Sequence, residues 1–155
     1  MTAMDKLSKL MHRGRDEAPW VAFDDGIQVR MPHIDVEGGI FVMNSRSQPG
    51  YLGRLHRHSG DVFAVTTAGA WRYLEHPEIN RPGSYLYEPD GSSHTFKVLD
   101  DNDGVTEFWA IVQGALEYLD EQGEVVSVLD AAAAEKFYSE ACEREGHKAP
   151  ERLGA

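Results

Sequence analysis

The chain has 155 residues, of which 41% are hydrophobic and 26% charged, and this fits one ordinary domain that needs neither disulfides nor a structural metal to fold. Fifteen Lys and Arg against 26 Asp and Glu give a formal net charge of −11, which argues against a nucleic acid or an anionic membrane surface as partner. The single cysteine, Cys142, excludes an internal disulfide and a thiolate zinc cluster. No apolar run has the length of a signal peptide or a membrane span, so a soluble cytoplasmic protein is expected.

Residues 1–19 form the first segment. Met4, Leu7, Leu10 and Met11 fall at helical spacing, and Gly14 and Pro19 end the pattern, which predicts a short helix or an arm. From Trp20 to residue 129, short β-rich runs alternate with turn residues. The predicted strands are Trp20–Phe23, Ile27–Met31, Gly39–Asn44, Leu52–His58, Val62–Thr67, Ala70–Leu74, Ser84–Tyr87, Thr95–Val98, Thr106–Gln113, Leu116–Leu119 and Val125–Val128. Many short strands at regular spacing predict an all-β sandwich or barrel rather than βαβ units. Residues 130–146 then read as a helix, with Asp130 as its cap, a run of alanines, and Gly146 as its stop. Residues 147–155 have no apolar period and read as a tail.

The chemistry concentrates in two short stretches. In RLHRHSG, His56 and His58 flank Arg57, and residues two apart on a strand face the same side. His94, in EPDGSSHTF, follows a Pro/Gly turn and leads into a strand, so it can bring a third imidazole from a neighbour. A lone His-x-His on a strand is more often two half-exposed histidines than a metal pair. Imidazole suits iron, zinc, copper and nickel alike, so ligand type does not choose the metal.

The spacing around these histidines resembles the cupin superfamily. Gly50, His56-Arg57-His58 and Gly69 match its first motif, and Gly83, Pro89, Gly91 and His94 match its second without a gap. The resemblance implies a double-stranded β-helix, the jelly-roll barrel, and a metal on His56, His58 and His94. The first motif's Glu position holds Val62 here, so the expectation is a three-histidine site without a carboxylate, with Val62 leaving its position open to substrate. LHRHSGDVFAVTTAGAWRYLEH, PGSYLYEPDGSSHTF and GALEYLDEQGEVV together resemble the 2,4′-dihydroxyacetophenone dioxygenase-like cupins, related to acetylacetone dioxygenase. That narrower resemblance implies Fe(II), with zinc, nickel or manganese as alternative occupants, and O₂-dependent cleavage of a carbon–carbon bond next to a carbonyl. Arg57 and Asp61 depart from that group's pattern.

Three neutral imidazoles on a divalent metal would leave a site of charge +2 with open positions for an anionic chelator. Around it, Glu88 reads as a general base or an acceptor for an imidazole N–H, against a solvated strand-end carboxylate. Tyr73 reads as a donor to a substrate oxygen, against an ordinary core tyrosine. Arg54 shares the parity of His56 and His58 and reads as a contact for an anionic ligand, against a salt bridge at the barrel mouth. His12, His33, His76 and His147 are expected outside the site, and Cys142 is expected to pack as a small apolar residue.

Three functions follow. The first is an Fe(II) dioxygenase acting on a small hydroxyketone or diketone. The second is a zinc or nickel isomerase, cyclase or hydrolase. The third is a ligand or metal sensor, which the cupin domain of zinc anti-sigma factors also resembles. The short, cysteine-free segment before Trp20 argues against the third. An apolar arm on a small β domain also implies a homodimer or higher homo-oligomer.

Overall fold

The strands begin and end where the turn residues stand. In the computed structural model, which describes residues 10–153, they are β1 (Val21–Asp24), β2 (Ile27–Asp35), β3 (Ile40–Ser47), β4 (His56–His58), β5 (Val62–Ala68), β6 (Trp71–Tyr73), β7 (Tyr85–Glu88), β8 (Ser93–His94), β9 (Phe96–Val98), β10 (Thr106–Gln113), β11 (Leu116–Leu119) and β12 (Val125–Leu129). One helix, α1 (Ala131–Arg144), follows them. Every strand pairing is antiparallel. A six-stranded sheet runs β1-β2-β3-β10-β5-β7, a four-stranded sheet β12-β11-β4-β8, and β6 pairs β9. This is the expected jelly-roll architecture, with neighbours distant in sequence such as β3 and β10.

Side-chain alternation sorts the faces. Along the six-stranded sheet, Val29, Met31, Phe41, Val62, Ala64, Ala110 and Val112 are buried. Val65, Tyr85, Tyr87 and Ile111 on its other face are exposed. A smaller cluster of Trp71, Tyr73, Phe96 and Val98 closes one end and meets the main core through Tyr51, Leu86 and Phe108. Gly69 takes φ +76° where the chain turns from β5 into β6 and lies against Thr106, so a side chain there would meet both strain and a clash.

Two predicted strands change in the folded chain. The run Leu52–His58 keeps strand geometry only at His56–His58, because Gly53 is drawn sideways: its amide bonds the Phe96 carbonyl at 2.9 Å. The run Thr95–Val98 gives only Phe96–Val98, and a separate short strand lies just before it. His94 pairs with β4 while Phe96–Val98 pairs with β6, and the chain crosses between sheets at Thr95. Glu75 fixes that crossing by accepting from the Thr95 amide at 2.7 Å and its hydroxyl at 2.8 Å.

The terminal segments follow local chemistry. Asp130 Oδ1 accepts from the Ala133 amide at 2.8 Å and caps α1 as expected. The helix buries Ala131, Ala134, Tyr138, Ala141 and Cys142, a stripe of helical period. Tyr138 donates to the Pro19 carbonyl at 2.6 Å and ties the N-terminal segment to the helix. The helix expected over residues 1–18 falls partly on residues 1–9, outside the described residues. Over residues 10–18 it is absent, and a single 3-10 turn at Arg15–Glu17 stands there, bounded by Gly14 and Pro19.

Candidate metal centre

Strand pairing builds the site from the sequence upward. His56 and His58 lie on the buried face of β4, and Arg57 between them turns outward to Glu117, 3.3 Å away. β8 pairs antiparallel with β4 and sets His94 directly opposite His56. The three rings have centroids 4.9, 5.7 and 5.5 Å apart, and one potential ligand atom from each lies within 4.8 Å of the others. All three are buried. No other His, Cys, Asp or Glu completes such a cluster among the described residues. The turn before His94 is fastened to β4: Gly91, at φ +88°, donates its amide to the His58 carbonyl at 2.7 Å.

The ring nitrogens carry the test of what belongs there. His56 Nδ1 lies 3.2 Å from the Arg54 carbonyl, which fixes the Nδ1–H tautomer and leaves Nε2 as a lone pair. The Nδ1 atoms of His58 and His94 are buried with no hydrogen-bond partner among the described residues, while the Nε2 atoms turn toward Glu88. Buried polar atoms are nearly always satisfied, so two such nitrogens beside a third ring call for an absent partner. A divalent transition metal fits them, since neutral imidazole is its common ligand and a backbone carbonyl behind one ring is a usual support.

Glu88 brings a carboxylate beside this centre. β5 and β7 pair so that Glu88 stands opposite Val62. Val62 lines the site without a carboxylate, as its sequence dictates, yet a carboxylate arrives from the next strand. Glu88 Oε2 lies 3.1 Å from His58 Nε2, and Oε1 lies 3.6 Å from His94 Nε2. The cluster that could hold a metal remains three histidines, and Glu88 stands beside it within reach of two of the rings. The sequence names Glu88 as a candidate base or acceptor but not its cross-strand partner. The neighbouring acid, Asp61, stays outside: its Oδ1 accepts from the Asp90 amide at 3.0 Å.

Tyr73 serves the same carboxylate. Its hydroxyl donates to Glu88 Oε1, and its ring stacks on His94 at 4.1 Å and 17°. The hydroxyl therefore turns to Glu88, and Tyr73 is not part of the pocket lining. Burial, with the Glu88 charge, pushes the Tyr73 hydroxyl well up, so it remains a donor. Burial raises the Glu88 carboxyl, but hydrogen bonding and charge from His58, with Tyr73 and His94, outweigh it and bring it below its usual value. Burial, helped by the charge of His58, pulls His56 down to about 4, and burial also lowers His94. His56 and His94 are thus biased toward neutral imidazoles beside an ionised carboxylate, the protonation state a metal needs.

A pocket of about 770 Å³, its open mouth included, leads to this cluster. Its walls are mainly apolar, with Phe23, Ile27, Met43, Ala64 and Phe108 among them. His56, His58, Glu88, Val62 and Arg54 reach it as well. Two lining residues, Tyr51 and Tyr118, were not singled out by the sequence. Tyr118 pairs with His56 across β4 and β11, its ring 6.3 Å from the imidazole. Nothing in its local sequence marks it, because the β4–β11 pairing joins positions far apart. Burial, foremost, pushes the hydroxyls of Tyr51 and Tyr118 up to about 12. His76 is exposed, 6.1 Å from His94, and does not join the cluster.

The fold agrees with known proteins. A cupin-fold protein of unknown function from Ralstonia eutropha JMP134 is 27% identical, with 96% of this chain and 98% of that one covered, at a TM-score of 0.82. An RmlC-like cupin from the same organism is 25% identical, with 97% of each chain covered, at 0.86. Acetylacetone dioxygenase from Acinetobacter johnsonii is 18% identical, with 86% of this chain and 93% of that one covered, at 0.76, a likeness that shows the fold alone. No curated protein matches the sequence. The family model described as the ChrR cupin-like domain matches residues 10–117. That span runs from the N-terminal segment into β11 and takes in all three histidines, so the chain belongs to the ChrR cupin-like domain family of the cupin superfamily.

Proposed function

We propose that the protein is a non-haem iron dioxygenase that cleaves a carbon–carbon bond next to a carbonyl in a small hydroxyketone or diketone. The observation that carries this reading is the buried cluster of three imidazoles, two of them with an unpartnered Nδ1, beside an apolar pocket. His56, His58 and His94 would hold the metal. Fe(II) there would supply Lewis acidity toward a chelating enolate and electrons for O₂, whereas zinc or nickel would supply the first alone.

The chain's own groups do the rest. Glu88, ionised and at the pocket wall, takes the proton lost when the substrate becomes an enolate. Tyr73 holds Glu88 by its hydroxyl and His94 by its ring face. The apolar walls exclude water, so a carbanion-like substrate is kept for O₂. Overall one carbon–carbon bond breaks, each carbonyl product takes one oxygen of O₂, and the electrons come from the substrate, so no external reductant is needed.

A second reading, a zinc- or nickel-dependent isomerase, cyclase or hydrolase, is favoured by Glu88, a base already beside the ligands. One experiment separates them. The protein is reconstituted anaerobically with Fe(II) and mixed with a panel of diketones and hydroxyketones under ¹⁸O₂. O₂ uptake, with label in both products, is expected. Turnover without O₂, or product oxygen from water alone, replaces the first reading with the second. Metal and ligand binding without turnover in either metal state leaves the sensor role.

A homodimer is part of the proposal. Val65, Tyr85, Tyr87 and Ile111 are 43%, 63%, 49% and 44% exposed on one face of the six-stranded sheet, and a second copy would cover them.

A further inference from the structure

Arg54 stands at the same pocket as the histidine cluster, and no carboxylate of the lining is paired with it. Its carbonyl accepts from the His56 ring, so its backbone is tied to that ligand. Its guanidinium lies 4.5 Å from the centre of the Tyr118 ring, the same ring that neighbours His56. No carboxylate comes within ion-pair distance of it among the described residues. Arg57, three residues on, shows the contrast: it faces away from the pocket and is paired with Glu117. In a chain with 26 acidic residues, an unpaired guanidinium held over a tyrosine beside the candidate metal centre is a ready anion site.

The lining limits what that anion is. Its two carboxylates are Asp24, near the Tyr51 hydroxyl, and Glu88, among the histidines. Both would repel a doubly charged phosphate, whereas a single carboxylate matches one planar guanidinium fork. Arg54 and His56 are two residues apart, roughly 7 Å along an extended chain. The walls between and around them are apolar.

We infer that the substrate is an acid: a chelating dicarbonyl or hydroxyketone head at the histidines, a short apolar spacer, and a carboxylate on Arg54. This rests on the chelation reading above and narrows it, since a neutral diketone would leave Arg54 without a partner.

The test uses the full chain loaded with Ni(II) under nitrogen, so that no O₂-dependent turnover occurs during binding. Binding of pentane-2,4-dione and of 4,6-dioxoheptanoate is followed by calorimetry and by the near-ultraviolet band of the bound enolate. The acid is expected to bind ~10- to ~100-fold tighter, the worth of a contact to a charged group. Arg54→Gln should remove that preference and leave pentane-2,4-dione affinity within about 2-fold, the usual range for losing a side chain that the neutral ligand does not touch. This second value also shows that the variant is folded. Arg54→Lys should keep part of the preference. Equal binding of both ligands to the unsubstituted protein, or a preference that survives Arg54→Gln, overturns the inference while the chelation reading stands. Binding of neither ligand overturns both.

Discussion

Glu88 and Val62 face each other across the β5–β7 ladder, and the carboxylate that position 62 lacks is supplied by position 88. Both residues are 3% exposed, and Glu88 reaches to 3.1 Å from His58. The two roles proposed for this carboxylate, proton acceptor and support for the ligand rings, are separable by substitution.

Glu88→Gln keeps the shape and removes the basic charge. The Fe(II) protein should retain its metal, read by elemental analysis, and lose ~10²- to 10⁴-fold in turnover if Glu88 accepts the substrate proton. Tyr73→Phe removes only the hydrogen bond that holds Glu88. It should slow turnover less and shift the pH profile, because the carboxylate loses a donor that stabilises its charged form. Loss of metal in Glu88→Gln would make Glu88 a ligand rather than a base.

Val62→Glu sets two buried carboxylates opposite one another. Like charges at this separation cannot both ionise freely, so one carboxyl should stay protonated near neutral pH. The metal-free variant should be destabilised by about 2–4 kcal/mol in urea unfolding. The double variant Val62→Glu, Glu88→Val moves the carboxylate across the ladder and should regain most of that loss. With the metal bound, Val62→Glu should hold or gain metal affinity and lose oxygenase turnover, since the new carboxylate fills space meant for substrate.

The metal-free protein should lose stability between about pH 6.5 and pH 4. His56 has its folded value depressed to about 4 by burial, below the ordinary 6.5. Above pH 6.5 it is neutral folded or unfolded and contributes nothing to the pH slope. Between 6.5 and 4 the unfolded chain binds the extra proton, so stability falls as pH falls. The full effect is on the order of 3 kcal/mol, complete below pH 4. Urea midpoints at pH 7, 5.5 and 4 measure it, and His56→Asn should flatten that part of the curve.

Self-association through the outer face of the six-stranded sheet predicts a dimer mass by light scattering. Tyr85 is 63% exposed and Tyr87 49%, and the Tyr87 ring stacks on Phe63 at 5.6 Å. Tyr85→Asp places a charge on the edge strand of that face and should give monomers with an unchanged circular dichroism spectrum. A monomer mass for the unsubstituted protein would remove the dimer from the proposal.

Much of this molecule is legible from local sequence alone. A strand repeats every two residues, so His56 and His58 must share a face and Arg57 must take the other. Glycine and proline mark most of the turns, and Asp130 marks the start of α1. The missing acid at Val62 is equally plain. What sequence period does not contain is which strand lies beside which, because pairing is set by the packing of the whole barrel. That packing puts His94 opposite His56, splits the chain between two sheets at Thr95, and brings Tyr118 against the pocket. It also carries Glu88, which the sequence leaves between a base at the site and a solvated strand end, to the histidines.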